Sequence, residues 1–209
     1  VPSMLEFMDG DCVRLARDMG GADIPAAGAL LMFEADGEAA TVDHAAEALA
    51  RAAEGPGLLA LDHAPDEAAR ERLWAARKAL SPALRTLAPG KINEDVVVPV
   101  SRIPALVAGV RALAAEFDLP IVCFGHAGNG NLHVNVLGEE ADLERMHACV
   151  EQVFRLVLSL NGTLSGEHGV GRSKRPFVAL ELGPETLALM RRVKGVFDPD
   201  GILNPGIAL

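Results

Sequence analysis

The stretch Ile121 to Gly138, IVCFGHAGNGNLHVNVLG, constrains the fold more than any other part of the chain. Two β-prone runs flank a cluster of glycine and asparagine, the composition of a turn that needs unusual backbone angles. Pairing Ile121–His126 with Leu132–Leu137 around AGNGN gives an antiparallel hairpin. It also sets His126 nearly opposite His133, where directly opposed Cβ atoms lie about 5 Å apart. Asn135 alternates onto the face of His133. A turn needs glycine and asparagine; it does not need an imidazole at each edge.

The same grammar extends along the chain. A helix is expected from Met4 to Met19, a strand in GALLMFEADG, a helix over Thr41–Ala53, a short strand in LLALDH and a helix over Asp66–Leu80 capped by Asp66 or nearby Pro65. In the second half EDVVVPV reads as a strand, and Ser101 as the cap of a helix reaching about Phe117. The hairpin comes next, then a helix over Asp142–Leu160 and a short strand and loop in GTLSGEHG. That order is βαββαβ, the ferredoxin-like unit. Helices over Arg172–Glu181 and Pro184–Val196 close the chain. The expectation is an α+β fold with a mostly antiparallel sheet and helices on one face. It divides into a first α/β part (1–90), a ferredoxin-like part (91–170) and a C-terminal part (171–209).

Composition excludes some partners. With 19 basic and 29 acidic residues the formal charge is −10, which argues against a nucleic-acid or anionic-membrane surface. Half of the residues are apolar, enough for a substantial core. No apolar run reaches membrane-spanning length. Cys12, Cys123 and Cys149 are scattered without a CxxC, so reduced thiols are expected rather than a disulfide or thiolate–metal framework. The chain starts Val-Pro-Ser, as a piece of something longer would.

A lone histidine beside glycines reads as a turn residue donating to a carbonyl. The second histidine and the Glu167-His168 pair in another glycine-flanked loop, SGEHGVGRSK, favour an ion instead. Two histidines and one carboxylate form an open metal site of the zinc or non-haem iron kind. His168 would stand beside the ion as a general base. His44, His63 and His147 read as solvated. Neither glycine string has the spacing of a phosphate loop. Arg77 and Ser81 sit four apart on one helix face and suit a carboxylate ligand, against the alternative of a solvated arginine. Trp74 reads as core or pocket edge, and Lys91 as a further cation. On residues alone, a metal-dependent hydrolase or a non-catalytic ferredoxin-like module remain open.

PSMLEFMD, LWAARK, EDVVVPVSRIPAL, GHAGNGNLHVN, GEHGVGRSK and FDPDGILNPG, in this order, resemble the C-terminal domain of FAD-linked oxidases of the vanillyl-alcohol oxidase superfamily. The nearest group is D-2-hydroxyglutarate dehydrogenase, D-lactate dehydrogenase and the glycolate oxidase flavoprotein subunit. Asn129 stands where the family commonly has Asp. The resemblance implies that His126, His133 and Glu167 hold a divalent metal, zinc first, with manganese or iron as alternatives. It makes His168 the base, and gives Arg77, Ser81, Lys91 and Asn135 substrate contacts. For the lysine, Asn93 is the matched position if the gap-free register from Pro99 is kept. Asn204 falls in the stretch that returns to the flavin domain. The implied reaction oxidises a D-2-hydroxy acid with hydride transfer to FAD, bound mainly by a separate domain of the same polypeptide. A quinone, a cytochrome or an electron-transfer flavoprotein would accept the electrons. The isolated domain is expected to be inactive and to self-associate, as a homodimer, through uncovered apolar surface. The location implied is cytoplasmic, or peripheral at the inner membrane.

Overall fold

The structure is a computed structural model that describes residues 1–19, 23–64 and 66–207, with the side chains of residues 39, 76, 79, 81, 82 and 85–87 outside that description. Five strands form one antiparallel sheet: β1 (Met4–Asp9), β2 (Ala29–Glu34), β3 (Gly90–Val97), β4 (Ile121–His126) and β5 (Asn131–Gly138). Their spatial order is β2-β1-β4-β5-β3. The helices are α1 (Gly10–Asp18), α2 (Ala39–Ala53), α3 (Glu67–Leu87), α4 (Ile103–Phe117), α5 (Leu143–Ser159), α6 (Val178–Glu181) and α7 (Pro184–Phe197). None of the described helices is long and apolar enough to cross a membrane.

The ferredoxin-like order is visible in β3-α4-β4-β5-α5. Its last strand is reduced to one antiparallel bridge, Thr163 with Val97. Beyond it the Leu164 N–H donates to Glu181 and the Gly166 N–H to the Asp95 carbonyl, at 3.0 and 3.2 Å, and the Asp95 side chain gathers the loop: the N–H groups of Gly166, Glu167 and His168 all donate to its Oδ2, at 2.9, 2.6 and 2.8 Å. A strand over GTLSGEHG does not form.

Alternation along each strand divides the side chains between two cores. Val96, Val98, Cys123, Leu132, Val134 and Val136 face α4 and α5, whose Leu106, Val110, Cys149, Val153 and Phe154 are buried against them. Each such side chain stabilises by roughly 1.5–3 kcal/mol relative to exposure. On the opposite face Met8, Val122, Phe124 and Leu137 meet Cys12, Leu15 and Ala16 of α1 and Leu80 and Leu84 of α3. The α+β class and antiparallel sheet match the sequence expectation. Helices were expected on one face only; α4 and α5 lie on one, and α1 and α3 add a second helical layer over part of the other.

Four local expectations are corrected. Met4–Met19 is not one helix but β1 followed by α1. Glu6, Phe7, Met8 and Asp9 are all buried, so the strand shows no polar face to betray its period. Asp9 makes the break, its carboxylate accepting from the Cys12 N–H at 2.8 Å as the cap of α1. LLALDH forms no strand: residues 58–63 are exposed and lie outside every ladder. Ser101 caps nothing; it sits in a 3-10 turn before α4, which starts without a side-chain cap. Over Arg172–Glu181 only α6 is α-helical, after a 3-10 turn over Arg175–Phe177 that contains Pro176. Of the two expected caps of α3, Asp66 accepts from the Ala69 N–H at 2.8 Å, and Pro65 lies outside the described residues. All three cysteines are free and buried.

Candidate metal and substrate site

The face that carries the second core is apolar only in part. The registers Glu6↔His126, His126↔Asn131 and Asp95↔His133 bring a row of polar side chains onto the same face, beyond the cover of α1 and α3. The loop after Thr163 lies over this row and supplies Glu167 and His168.

His126 and His133 are not directly opposed. The hairpin closes through a 3-10 turn over Ala127–Asn129 and a left-handed Gly130, so His126 pairs with Asn131 and His133 pairs with Phe124. The two rings meet diagonally, with centroids 6.0 Å apart. The diagonal offset keeps them on one face, and Glu167 completes the group. Its Oε1 lies 3.5 Å from His133 Nε2 and its Oε2 4.0 Å from His126 Nε2. One donor atom from each of the three residues falls within 4.8 Å of the others. His168 stacks on His133, centroids 5.3 Å apart, with Nε2 3.8 Å from Glu167 Oε1 and Nδ1 3.6 Å from Asp95 Oδ1.

Two imidazoles and a carboxylate with convergent donors fit a divalent cation. Burial pushes the His133 imidazole below its ordinary pKa; Glu167 opposes this, and the nearby His168, His126 and Arg77 add to it. The Nδ1 of His133 and the Oδ1 atoms of Asn131 and Asn135 are buried without a partner among the described residues. The His126 ring is oriented from behind: its Nδ1 is hydrogen-bonded to Glu6 Oε1, which leaves Nε2 facing Glu167. A histidine held by a carboxylate on one nitrogen and offering the other is the usual outer support of a metal site.

Arg77 reaches the same group. Its Nε donates to Glu6 Oε2 at 3.0 Å, and its guanidinium carbon lies 4.5 Å from the centre of the Phe124 ring. Ser81 lies one turn on in α3, its side chain outside the described residues. Asn135 is fully buried, its amide donating to the His133 carbonyl at 3.3 Å. Lys91 is exposed and pairs with Leu137, further along β3 from the histidines than Asn93, which pairs with Asn135. Asn204 is exposed in a left-handed turn of the C-terminal tail, and no described contact joins it to the histidines. Trp74 donates from Nε1 to Glu34 at 2.7 Å, at the edge of the sheet. His44, His63 and His147 are exposed.

Sequence reading missed Glu6, Asp95 and Lys174. Asp95 has no exposure, and Lys174 is almost as buried. The Lys174 ammonium is bonded to Asp95 Oδ1 and donates to the Leu164 carbonyl at 2.8 Å and the Asp95 carbonyl at 3.1 Å; Glu94 lies 3.4 Å away. Burial alone would raise the Asp95 pKa, but Lys174 and the His168 and Glu167 amides outweigh it and hold it at about 2. The usable signal was an acidic residue within each β-prone run, Glu6 in LEFMD and Glu94-Asp95 ahead of VVVP.

The family model described as "FAD linked oxidases, C-terminal domain" matches residues 1–207. The chain belongs to that family. It is 34% identical over 99% of its length to glycolate oxidase subunit GlcD of Bacillus subtilis (strain 168), covering 45% of that protein. It is 36% identical over 92% of its length to D-2-hydroxyglutarate dehydrogenase of Stutzerimonas stutzeri (strain A1501), covering 44%. With D-lactate dehydrogenase of Anaerostipes hadrus the identity is 32% over 98% of the chain and 46% of the relative. The chain thus spans less than half the length of these relatives. A solved 4-ethylphenol oxidase from Gulosibacter chungangensis, in complex with isoeugenol, shares the fold with a TM-score of 0.63. At 13% identity, the match covers 98% of this chain and 47% of that one.

Proposed function

We propose that this FAD-linked oxidase domain is the substrate- and metal-binding part of a flavin-dependent dehydrogenase that oxidises a D-2-hydroxy acid to a 2-oxo acid. The observation that carries the reading is the convergence of His126, His133 and Glu167, with His168 stacked beside them. The names of the relatives, enzymes of glycolate, D-lactate and D-2-hydroxyglutarate, supply the substrate class.

His126 Nε2, His133 Nε2 and the Glu167 carboxylate would hold the cation, zinc first and manganese or iron as alternatives. When bound, the cation supplies Lewis acidity at the substrate hydroxyl, and the flavin of a partner domain in the same polypeptide supplies the hydride acceptor. The residues of this chain bind, orient and deprotonate. Arg77 already spends Nε on Glu6, so the outer N–H groups of its fork are those offered to the substrate carboxylate. Ser81 and Asn135 are its proposed companions. Asn93 is better placed than Lys91 to reach a substituent near Asn135, because it pairs with that residue. His168 takes the hydroxyl proton on Nε2, while Asp95 faces Nδ1 and stabilises the resulting imidazolium. Fixing the acid between Arg77 and the histidines converts binding into reactive geometry. Asn204 is assigned to the tail that meets the flavin domain, and a quinone, a cytochrome or an electron-transfer flavoprotein to the acceptor.

The test is a screen of D-2-hydroxy acids against the full-length flavoprotein with a dye acceptor, repeated with His168→Ala. The expected result is normal flavin content with flavin reduction abolished. Undiminished reduction in the variant removes His168 as the base, and failure of every 2-hydroxy acid removes the substrate class.

A further inference from the structure

Glu167 and His168 lie on a loop with no ladder of its own, yet both must be held to a fraction of an ångström for the proposed chemistry. The loop's order comes from beneath. One oxygen of Asp95 accepts the three consecutive amides of Gly166, Glu167 and His168. The other oxygen is held by Lys174, which follows the loop in sequence and also bonds the carbonyl of Leu164, before it. Asp95 itself is fixed on β3, directly across from the metal-facing His133. The loop is therefore pinned at both ends and along its middle by one buried ion pair, and that pair is tied to the strand register that places a histidine.

We propose that Asp95 and Lys174 are positioning residues that pre-form the loop, so that Glu167 and His168 are in place before any cation binds. The inference rests on the metal reading of the site. A carboxylate accepting three charge-assisted hydrogen bonds from consecutive amides does for this loop what a capping residue does for a helix end. Lys174 is required because an unpaired carboxylate at full burial is unfavourable. Both are placed to act through Glu167 and His168. The Gly166 amide also reaches the Asp95 backbone carbonyl, at 3.2 Å, so the side chain takes over where the backbone pairing ends.

Two measurements test this. In the metal-free parent protein, amide hydrogen exchange should show Gly166, Glu167 and His168 protected; free exchange there, in an otherwise protected sheet, overturns the proposal. The parent and Asp95→Asn are then titrated with cobalt(II), read by visible absorption. The variant should bind 10–100-fold more weakly, with an altered cobalt spectrum, as expected of a lost outer-shell support. Unchanged affinity and spectrum overturn the proposal while leaving the metal site standing. A parent that binds no cobalt overturns the reading of the site itself and the proposal with it. If Asp95→Asn does not fold, the exchange measurement on the parent decides.

Discussion

Glu6 and His126 face each other across the β1–β4 rung, and the carboxylate of the first is hydrogen-bonded to Nδ1 of the second. The second oxygen of Glu6 holds Arg77. One buried side chain thus orients a proposed metal ligand and a proposed substrate ligand together. Glu6→Gln keeps the shape and removes the charge. The expected outcome is a 10–100-fold weaker zinc affinity and a raised KM for the hydroxy acid, measured by zinc titration and by steady-state kinetics of the flavoprotein. Unchanged values in both would mean that His126 and Arg77 hold their positions without it.

Asp9 joins two parts of the sheet. Besides capping α1 it accepts the Cys123 N–H at 2.6 Å. Burial raises its pKa despite these donors. Asp9→Ala leaves both amides without their partner in a buried setting, and should cost about 2–3 kcal/mol of stability in urea unfolding.

Gly130 closes the hairpin with φ of +73°, and a Cβ there would stand 2.0 Å from the Val98 carbonyl oxygen. Gly130→Ala combines left-handed strain with displacement of the backbone at Val98, just beyond β3, and should destabilise by at least about 2 kcal/mol. Cobalt binding should weaken as well, since the turn fixes the diagonal of His126 and His133. A thermal melt paired with a cobalt titration reads both.

Asp198 organises the C-terminal tail. It is bonded to Lys194 and accepts the Ile202 and Leu203 amides at 2.9 and 3.1 Å. Its pKa is lowered, first by the Lys194 hydrogen bond and, against some burial, by the two amides. For a depressed carboxylate the stabilisation is fully present above the ordinary value of 3.8 and is lost as pH falls through the folded value. Hydrogen exchange at Ile202 and Leu203 should therefore accelerate, relative to the sheet, below about pH 4. Asp198→Asn should show the faster exchange already at neutral pH.

The hairpin, α5 and the His-His-Glu group were legible because each leaves a local mark: glycine clusters, helical spacing, and imidazoles at strand ends. The hairpin's register was not, because a shift of only two residues moves His133 from opposite His126 to diagonal from it and leaves both rings on one face. β1 was hidden because a strand covered on both faces loses its alternation and reads as a helix. Asp95 and Lys174 were unreadable for another reason. They are 79 positions apart, and a buried ion pair has no spacing rule. LLALDH shows the converse: apolar residues at strand-like density stay exposed when no edge is offered to them.

The proposed ligands come from β4, β5 and the loop beyond α5, and the carboxylate that steadies one of them comes from β1. No short piece of the chain holds the set, so a cation cannot act as a seed for folding in the way it does in a zinc finger. On the proposed reading, loading follows the folding that assembles these elements, and a bound cation would mark a molecule whose long-range topology is already complete.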